Sequence, residues 1–374
     1  MPPRTPTLTL RELNRALLAR QMLLKRARIG VVDAVERLAC LQGQRQWAPS
    51  PYVALWSRLA GFERDWLTRP IDRGELVKAT LMRATLHIVS AREYPEYSLA
   101  TMDGRFGAWR PSGGPVLADL ERVHRSVMTF AAKTPRTRVE IADYIKSHVP
   151  PSAAKDGRLR NWFLWASVAI SGLIWESAGA HFEYRQLARH VAPPAKLRKH
   201  PKPDLAYDLV VRRHLGAFGP ATIADIATWS SVRVPHIRAA LARIKDVREF
   251  TDDRGRELFD LARAPRPVAD TDAPARFLAR FDAAILGHAA PERVRILPEP
   301  YRKQVIFSAE VWPTFLVDGF VAGRWTIAVR PKETILELKP FGKLSRTDRN
   351  ALFEEGEKLA RFYAPEAKTH GVRG

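Results

Sequence analysis

Two stretches of this chain repeat one order of elements, and that repetition narrows the folds open to it. Arg138 to His148 carries Val139, Ile141, Ala142, Tyr144 and Ile145 at mixed spacings of three and four, which predicts a short helix. A turn containing proline, serine and glycine leads to a second apolar helix, Leu159 to Ser171. Leu173 to Glu176 and His181 to Tyr184 then alternate around Ser177 to Ala180, as hairpin strands do. The order returns with a helix over Asp204 to Leu215, stopped at Gly219-Pro220. Thr222 to Trp229 and Pro235 to Ile244 form the next helix pair, with Pro235 suited to a first helical turn. Val247 to Phe250 and Leu258 to Leu261 flank Asp252-Asp253-Arg254-Gly255, a hairpin turn. Ile141-Ala142-Asp143 and Ile223-Ala224-Asp225 echo each other inside the two copies. Helix, turn, helix and hairpin is the winged-helix order.

A third copy is expected at the N-terminus, with helices over Thr9 to Leu24 and Val31 to Leu41 and a strand pair within Glu75 to Ser90. From Phe277 the chain becomes strand-rich, Asp318-Gly319 marks a tight hairpin, and a small β-barrel or sandwich follows from the spacing. Ser345 to Tyr363 reads as a closing helix. The expected fold class is therefore α+β: three tandem winged-helix units followed by a C-terminal small β-barrel with a closing helix. The boundaries fall at 8–110, 111–192, 204–265 and 272–365, with a basic, proline-rich linker around Pro193 to Pro203. Winged helices also serve as buried scaffolding, so three copies do not by themselves mean three DNA contacts.

Charge narrows the partner. Lys and Arg total 61 against 40 Asp and Glu, a formal net charge of +21. The excess is spread over folded segments, not gathered in a tail, which suits a groove tracking the phosphates of double-stranded DNA. A basic proteome or an anionic membrane surface is the alternative source of such charge. The single cysteine, Cys40, rules out an internal disulfide and a cysteine-based zinc site. No run approaches the roughly 18 apolar residues of a membrane span, and the N-terminus lacks an apolar signal core. A cytoplasmic, nucleoid-associated monomer without membrane attachment is expected.

The familiar catalytic signatures are missing: no Walker loop, nucleophile elbow, His-Glu-x-x-His helix or Rossmann glycine pattern occurs. The histidines do not cluster at metal spacing, and His87, mid-strand, suits a structural hydrogen bond better than a metal. What remains is Leu41-Gln42-Gly43-Gln44, read as a helix end. Each glutamine amide offers an acceptor and two donors, so a facing pair can orient one water without titrating. Such a pair is a feeble base and serves only where the leaving group is already activated. A purine alkylated at N7 meets that condition, because it carries a positive charge and leaves without protonation. Glutamines at a helix end equally cap it or bond a neighbouring loop, Trp47, Tyr52 and Trp56 equally fill a core, and Arg83 equally forms a salt bridge.

Leu41 to Gln44, Ser50-Pro51-Tyr52, Leu81 to His87 and Val317 to Trp325 together, in this order, resemble the AlkZ-like and YcaQ-like winged-helix DNA glycosylases, and the likeness runs roughly from Leu8 to Tyr363. The resemblance implies tandem winged helices with a C-terminal β-barrel, and excision of alkylated purines, including bulky N7 adducts and interstrand crosslinks, without metal or organic cofactor. It implies that Gln42 and Gln44 position the attacking water, and Gln44, where the YcaQ-like branch has aspartate, points to the AlkZ-like branch. Gly43 departs from the larger apolar residue or alanine common in the family. Substrate range in the family depends on loops and a hairpin in the barrel domain, here around Pro298 to Trp312.

The expected activity is thus a monofunctional DNA glycosylase acting on N7-alkylated purines in damaged duplex DNA. Candidate DNA contacts are Arg45, Ser50 and Tyr52 beside the glutamines, Arg83, Thr85 and His87 on the first wing, and Arg302 and Lys303 in the C-terminal region. No lysine stands beside the glutamines in sequence, so no Schiff-base lyase step is expected. The rival is a winged-helix regulator that binds DNA without chemistry, which would prefer one sequence and dimerise on a palindrome.

Overall fold

Three helices begin the same way. Thr9, Thr137 and Thr222 each accept a hydrogen bond from the backbone N–H three residues on, while Glu12, Glu140 and Asp225 reach back to the threonine N–H. These reciprocal caps satisfy two orphan donors apiece and start helices Leu10–Arg20, Arg138–Lys146 and Ile223–Ser230. The computed structural model describes residues 5–43, 49–105, 107, 120–159, 172–198 and 201–374. The fold is mixed α+β with several sheets. Among the described residues, no helix is long and apolar enough to cross a membrane.

The first two expected units share one sheet. Its strands are β2 (Leu41–Gln42), β3 (Leu76–Thr80), β4 (Leu86–Ser90), β5 (Arg136–Thr137), β6 (Ile174–Trp175) and β7 (Arg189–Val191), in the order β2-β4-β3-β6-β7-β5. The helix expected over Val31 to Leu41 stops at Arg37, because Leu41 and Gln42 pair with Ile88 and His87. The hairpin expected within 173–184 also changes. Ile174 and Trp175 pair with Val191 and His190, and Ser177–Ala180 is a short 3-10 turn. The intervening strand is therefore 189–191, not 181–184. The helix expected over Leu159 to Ser171 lies outside the described residues beyond Leu159.

The later copy matches its sequence reading closely. Helices Pro203–Phe218, Ile223–Ser230 and Val234–Arg243 precede β8 (Val247–Asp252) and β9 (Glu257–Leu261), joined by the expected turn. A short N-terminal strand, β1 (Thr7–Leu8), adds to β8 in parallel.

The C-terminal region is not a closed barrel. Its described strands β10 (Arg276–Leu278), β13 (Thr314–Val317), β14 (Phe320–Val329), β15 (Glu333–Pro340) and β16 (Thr369–Arg373) form one open sheet in that order. Helix Arg346–Tyr363 brings β16 back parallel to β15 and packs Leu352, Leu359 and Ala360 into one core with Phe277, Phe315, Trp325 and Leu336. A helix covering a sheet face buries it without closure. A small separate hairpin, β11 (Ile306–Phe307) with β12 (Glu310–Val311), stands beside this sheet.

Buried arginines tie the regions together. Arg20, on the first helix, meets Asp260 of β9 through two bonds of 2.6 and 2.8 Å, and neither side chain is exposed. Arg58 meets Asp282 through bonds of 2.9 and 2.6 Å. Removing one partner leaves an unpaired buried charge, so Asp260→Ala is expected to cost about 3–5 kcal/mol of unfolding free energy, read by urea denaturation.

Acid should weaken this interior as well. Burial pushes His214 down to about 4 and His288 well below its usual range. Below the ordinary histidine value the unfolded chain binds protons that the folded chain refuses. Stability is accordingly full above about pH 6.5 and falls as the pH drops towards 4, where His214 itself titrates. The expected result is a positive slope of unfolding free energy against pH across that window.

Candidate active site

Gln42 sits on a strand of only two residues, and its geometry is imposed by its neighbours. The Gly43 N–H donates to the Leu86 carbonyl at 2.8 Å, fixing the register of β2 on β4. That register sets Gln42 opposite His87. His87 is fully buried, and its Nδ1–H donates to the Thr85 carbonyl at 2.9 Å. Burial, with the nearby positive charge of Arg83, pushes its pKa down to about 3, so the ring is neutral. A neutral ring protonated on Nδ1 leaves Nε2 as an acceptor, and the Gln42 amide N–H donates to it at 3.0 Å. The amide is thereby oriented: its nitrogen faces His87, and its Oε1 is buried with no hydrogen-bond partner among the described residues.

Gln42 lines a cavity of about 10 Å³ with Ser50, Gln21, Arg58 and Asp282, close to the room that one water needs. Arg58 is held by Asp282 and also donates to Gln21 Oε1 at 3.2 Å. This charged pair was not legible in the sequence, since 224 residues separate its members and neither sits in a motif.

The turn before β4 is conformationally costly. Arg83 and Ala84 adopt φ of +52° and +53°, a left-handed region that side chains other than glycine enter rarely. Arg83 is anchored there by donation to the Trp229 carbonyl at 2.7 Å, and burial brings its pKa down to about 10. Thr85 closes the turn with its hydroxyl donating to the Met82 carbonyl. Hydrogen bonds thus run from Trp229 to Arg83, and from Thr85 through His87 to Gln42.

The other expected site residues are distributed. Gln44 and Arg45 lie outside the described residues, as does Trp47. Ser50 opens helix Ser50–Trp56 and is 8% exposed. Tyr52 is fully buried, its hydroxyl 2.9 Å from Thr68 and its ring edge-on to Phe182. Arg302 pairs with Glu299 at 2.8 Å, and Lys303 is exposed, both on the short helix that leads into β11. Lys78 was not singled out from sequence. Its Cε would lie 3.3 Å from a Cβ at position 43, so the glycine leaves room for it. Its ammonium turns to the Gly179 carbonyl at 3.1 Å and lies over the Trp175 ring.

Burial moves three groups near Gln42 away from the neutral range. His87 is pushed down to about 3, while burial pushes Cys40 and Tyr52 up to about 12. The arrangement holds the Gln42 amide in one orientation.

Comparison with known proteins identifies the family. The family described as DNA glycosylase AlkZ-like matches residues 35–362. An interstrand DNA cross-link repair glycosylase of Streptomyces sahachiroi is 28% identical over 358 residues, covering 91% of this chain and 93% of that protein. The solved DNA glycosylase AlkZ of Streptomyces sahachiroi aligns with a TM-score of 0.78 and 25% identity, over 98% of this chain and all of that one. With a fold of the same shape and a family match over most of its length, the chain belongs to the AlkZ-like DNA glycosylases, enzymes that act on N-glycosyl bonds.

Proposed function

We propose that this chain is a monofunctional glycosylase for N7-alkylated purines, with Gln42 and Gln44 holding the water that attacks C1′. The observation that carries this reading is the locked Gln42 amide, whose Oε1, without a partner among the described residues, is an acceptor aimed by His87. In the reaction the water oxygen bonds to C1′, the C1′–N9 pair returns to the purine, and the base leaves neutral because alkylation had made it cationic. The surplus water proton passes to solvent. Glutamine does not take that proton, but it orients the nucleophile, and orientation alone is worth orders of magnitude in rate. The product is an abasic site. Lys78 packs against Gly43 with its ammonium directed to Gly179 and Trp175. That placement supports hydrolysis without a lyase step.

The Gln-x-Gln spacing favours the AlkZ-like branch over the YcaQ-like one. We read the three capped helices as belonging to three winged-helix units, supported by the helix pair and hairpin over 203–261. Double-stranded DNA would lie along the basic surface, with Arg45, Ser50, Arg302 and Lys303 near the backbone. Arg83, Thr85 and His87 then act on DNA indirectly, by setting Gln42, while Tyr52 supports the helix that Ser50 begins. A substrate range that includes crosslinked DNA is supported by the cross-link repair role that the relative's name carries, and the chain would act as a monomer on nucleoid DNA in the cytoplasm.

The direct test is base release from a duplex carrying one N7-methylguanine. Wild type should release it, and Gln42→Ala should slow release on the order of 100-fold with DNA binding retained. No release, together with tight binding to one undamaged sequence, would leave a regulator. A second test addresses the release of the water proton to solvent and not to a side chain. Because His87 titrates near 3 and Cys40 and Tyr52 near 12, the wild-type rate of release should stay flat through the neutral range. A bell-shaped profile centred there would place an acid or base in the mechanism.

A further inference from the structure

Two buried side chains meet at the Gln42 cavity with unspent hydrogen-bonding groups of opposite kind. Arg58 is 1% exposed. Its Nη1 donates to the Ala54 carbonyl and to Asp282, both at 2.9 Å, and its Nη2 donates to Asp282 at 2.6 Å and to Gln21 at 3.2 Å. A guanidinium has one further N–H, on Nε, and here it is buried without a partner among the described residues. Gln42, 5% exposed, carries the complementary group, the unpartnered acceptor Oε1. Both side chains line the same cavity of about 10 Å³. We propose that one resident water occupies this cavity, accepting from Arg58 Nε–H and donating to Gln42 Oε1, and that Arg58 is thereby a positioning residue for base release. The role given to Arg58 rests on the glycosylase reading above.

The surrounding bonds make this a built site. The guanidinium cannot turn, because its partners are themselves anchored: Asp282 also accepts from the Ala284 N–H at 2.9 Å, and the Gln21 amide donates to the Ala217 carbonyl at 2.9 Å. A cavity of this volume takes one water and nothing larger, and a buried water commonly makes about three hydrogen bonds. Ser50, on the same wall, brings a hydroxyl for the third. An amide oxygen has two lone pairs, so the resident water takes one and leaves the other for the attacking water. His87 fixes the nitrogen end of the amide, the resident water fixes its oxygen end, and Oε1 then keeps its direction as the nucleophile arrives. Asp282 offsets the Arg58 charge, so this orientation is gained without setting an uncompensated cation beside a sugar that itself becomes positive.

A crystal structure of the free enzyme tests the water directly. One ordered water is expected about 3 Å from both Gln42 Oε1 and Arg58 Nε. A dry cavity, or either group bonded to a protein atom instead, overturns the proposal. The role of Arg58 is tested by a double-mutant cycle on release of N7-methylguanine from a duplex. Arg58→Lys keeps a positive charge for Asp282 but has no Nε–H, so it should lower kcat by about 10-fold and leave KM unchanged. In a Gln42→Ala background the same change should cost nothing further, because its effect passes through Gln42. An equal loss in both backgrounds would make Arg58 a part of the fold alone, and no loss in either would make the water idle; both overturn the positioning role. Urea denaturation separates a folding defect from a kinetic one. Should Arg58→Lys fail to fold, the wild-type crystal decides, a water on both atoms upholding the site and its absence overturning it. A wild type that releases no N7-methylguanine fails the glycosylase reading, whereas release without the expected coupling fails Arg58 alone.

Discussion

Two bidentate arginine–aspartate pairs, buried far from each other in sequence, govern how this chain assembles. Arg20 and Asp260 join the first helix to the hairpin of the later helical group, and Arg58 and Asp282 join the first region to the C-terminal one. A guanidinium without its carboxylate is costly in such an interior, so misassembled forms that separate the pairs are penalised heavily. The backbone around them is shaped to fit. A Cβ at Gly219 would come within 2.7 Å of the Arg20 guanidinium and 2.8 Å of the Asp260 carboxylate. Glycine there is the condition for the pair to close.

The same logic explains the Val317 to Trp325 stretch. Asp318 accepts from Arg11 at 2.7 Å and also binds Arg15, while Asn14 donates to the Gly319 carbonyl at 2.8 Å. Gly319, at φ +81°, leaves no room for a side chain against Asn14, Arg15 and Leu18. The Asp-Gly turn is thus the seat of the first helix on the C-terminal sheet. Two large hydrophobic cores among the described residues likewise combine N-terminal and C-terminal side chains: Leu17 shares one with Phe218 and Leu316, and Val35 shares the other with Trp325 and Leu359.

The site inherits its order from this assembly. Strand β2 is too short to hold itself, and it is placed by β4, whose hairpin is in turn pinned to Trp229 through Arg83. The strained Arg83–Ala84 turn persists because that anchor and the β3–β4 ladder outweigh its local cost. The Arg58–Asp282 pair borders the small cavity at Gln42, so the bond joining two regions of the fold also shapes the place where a water would be held. Fold stability and site geometry therefore rest on the same few contacts.

Sequence alone determined much of the local structure. The helices at 138, 223 and 234, the Asp252–Gly255 and Asp318-Gly319 turns and the α+β class were all legible, because caps, turns and hydrophobic periodicity act within a few residues. Other features were decided only in three dimensions. Gln42 lies on a strand and not at a helix end, since two residues carry no period and the choice is made by hydrogen bonds to residues 86 and 87. The open sheet in place of a barrel depends on β16, which a helix returns to β15. His87 as the group that aims Gln42 and Arg58 beside Asp282 both join segments far apart along the chain. Local preferences choose the elements, but only packing chooses which buried polar groups must meet, and the site is made of those meetings.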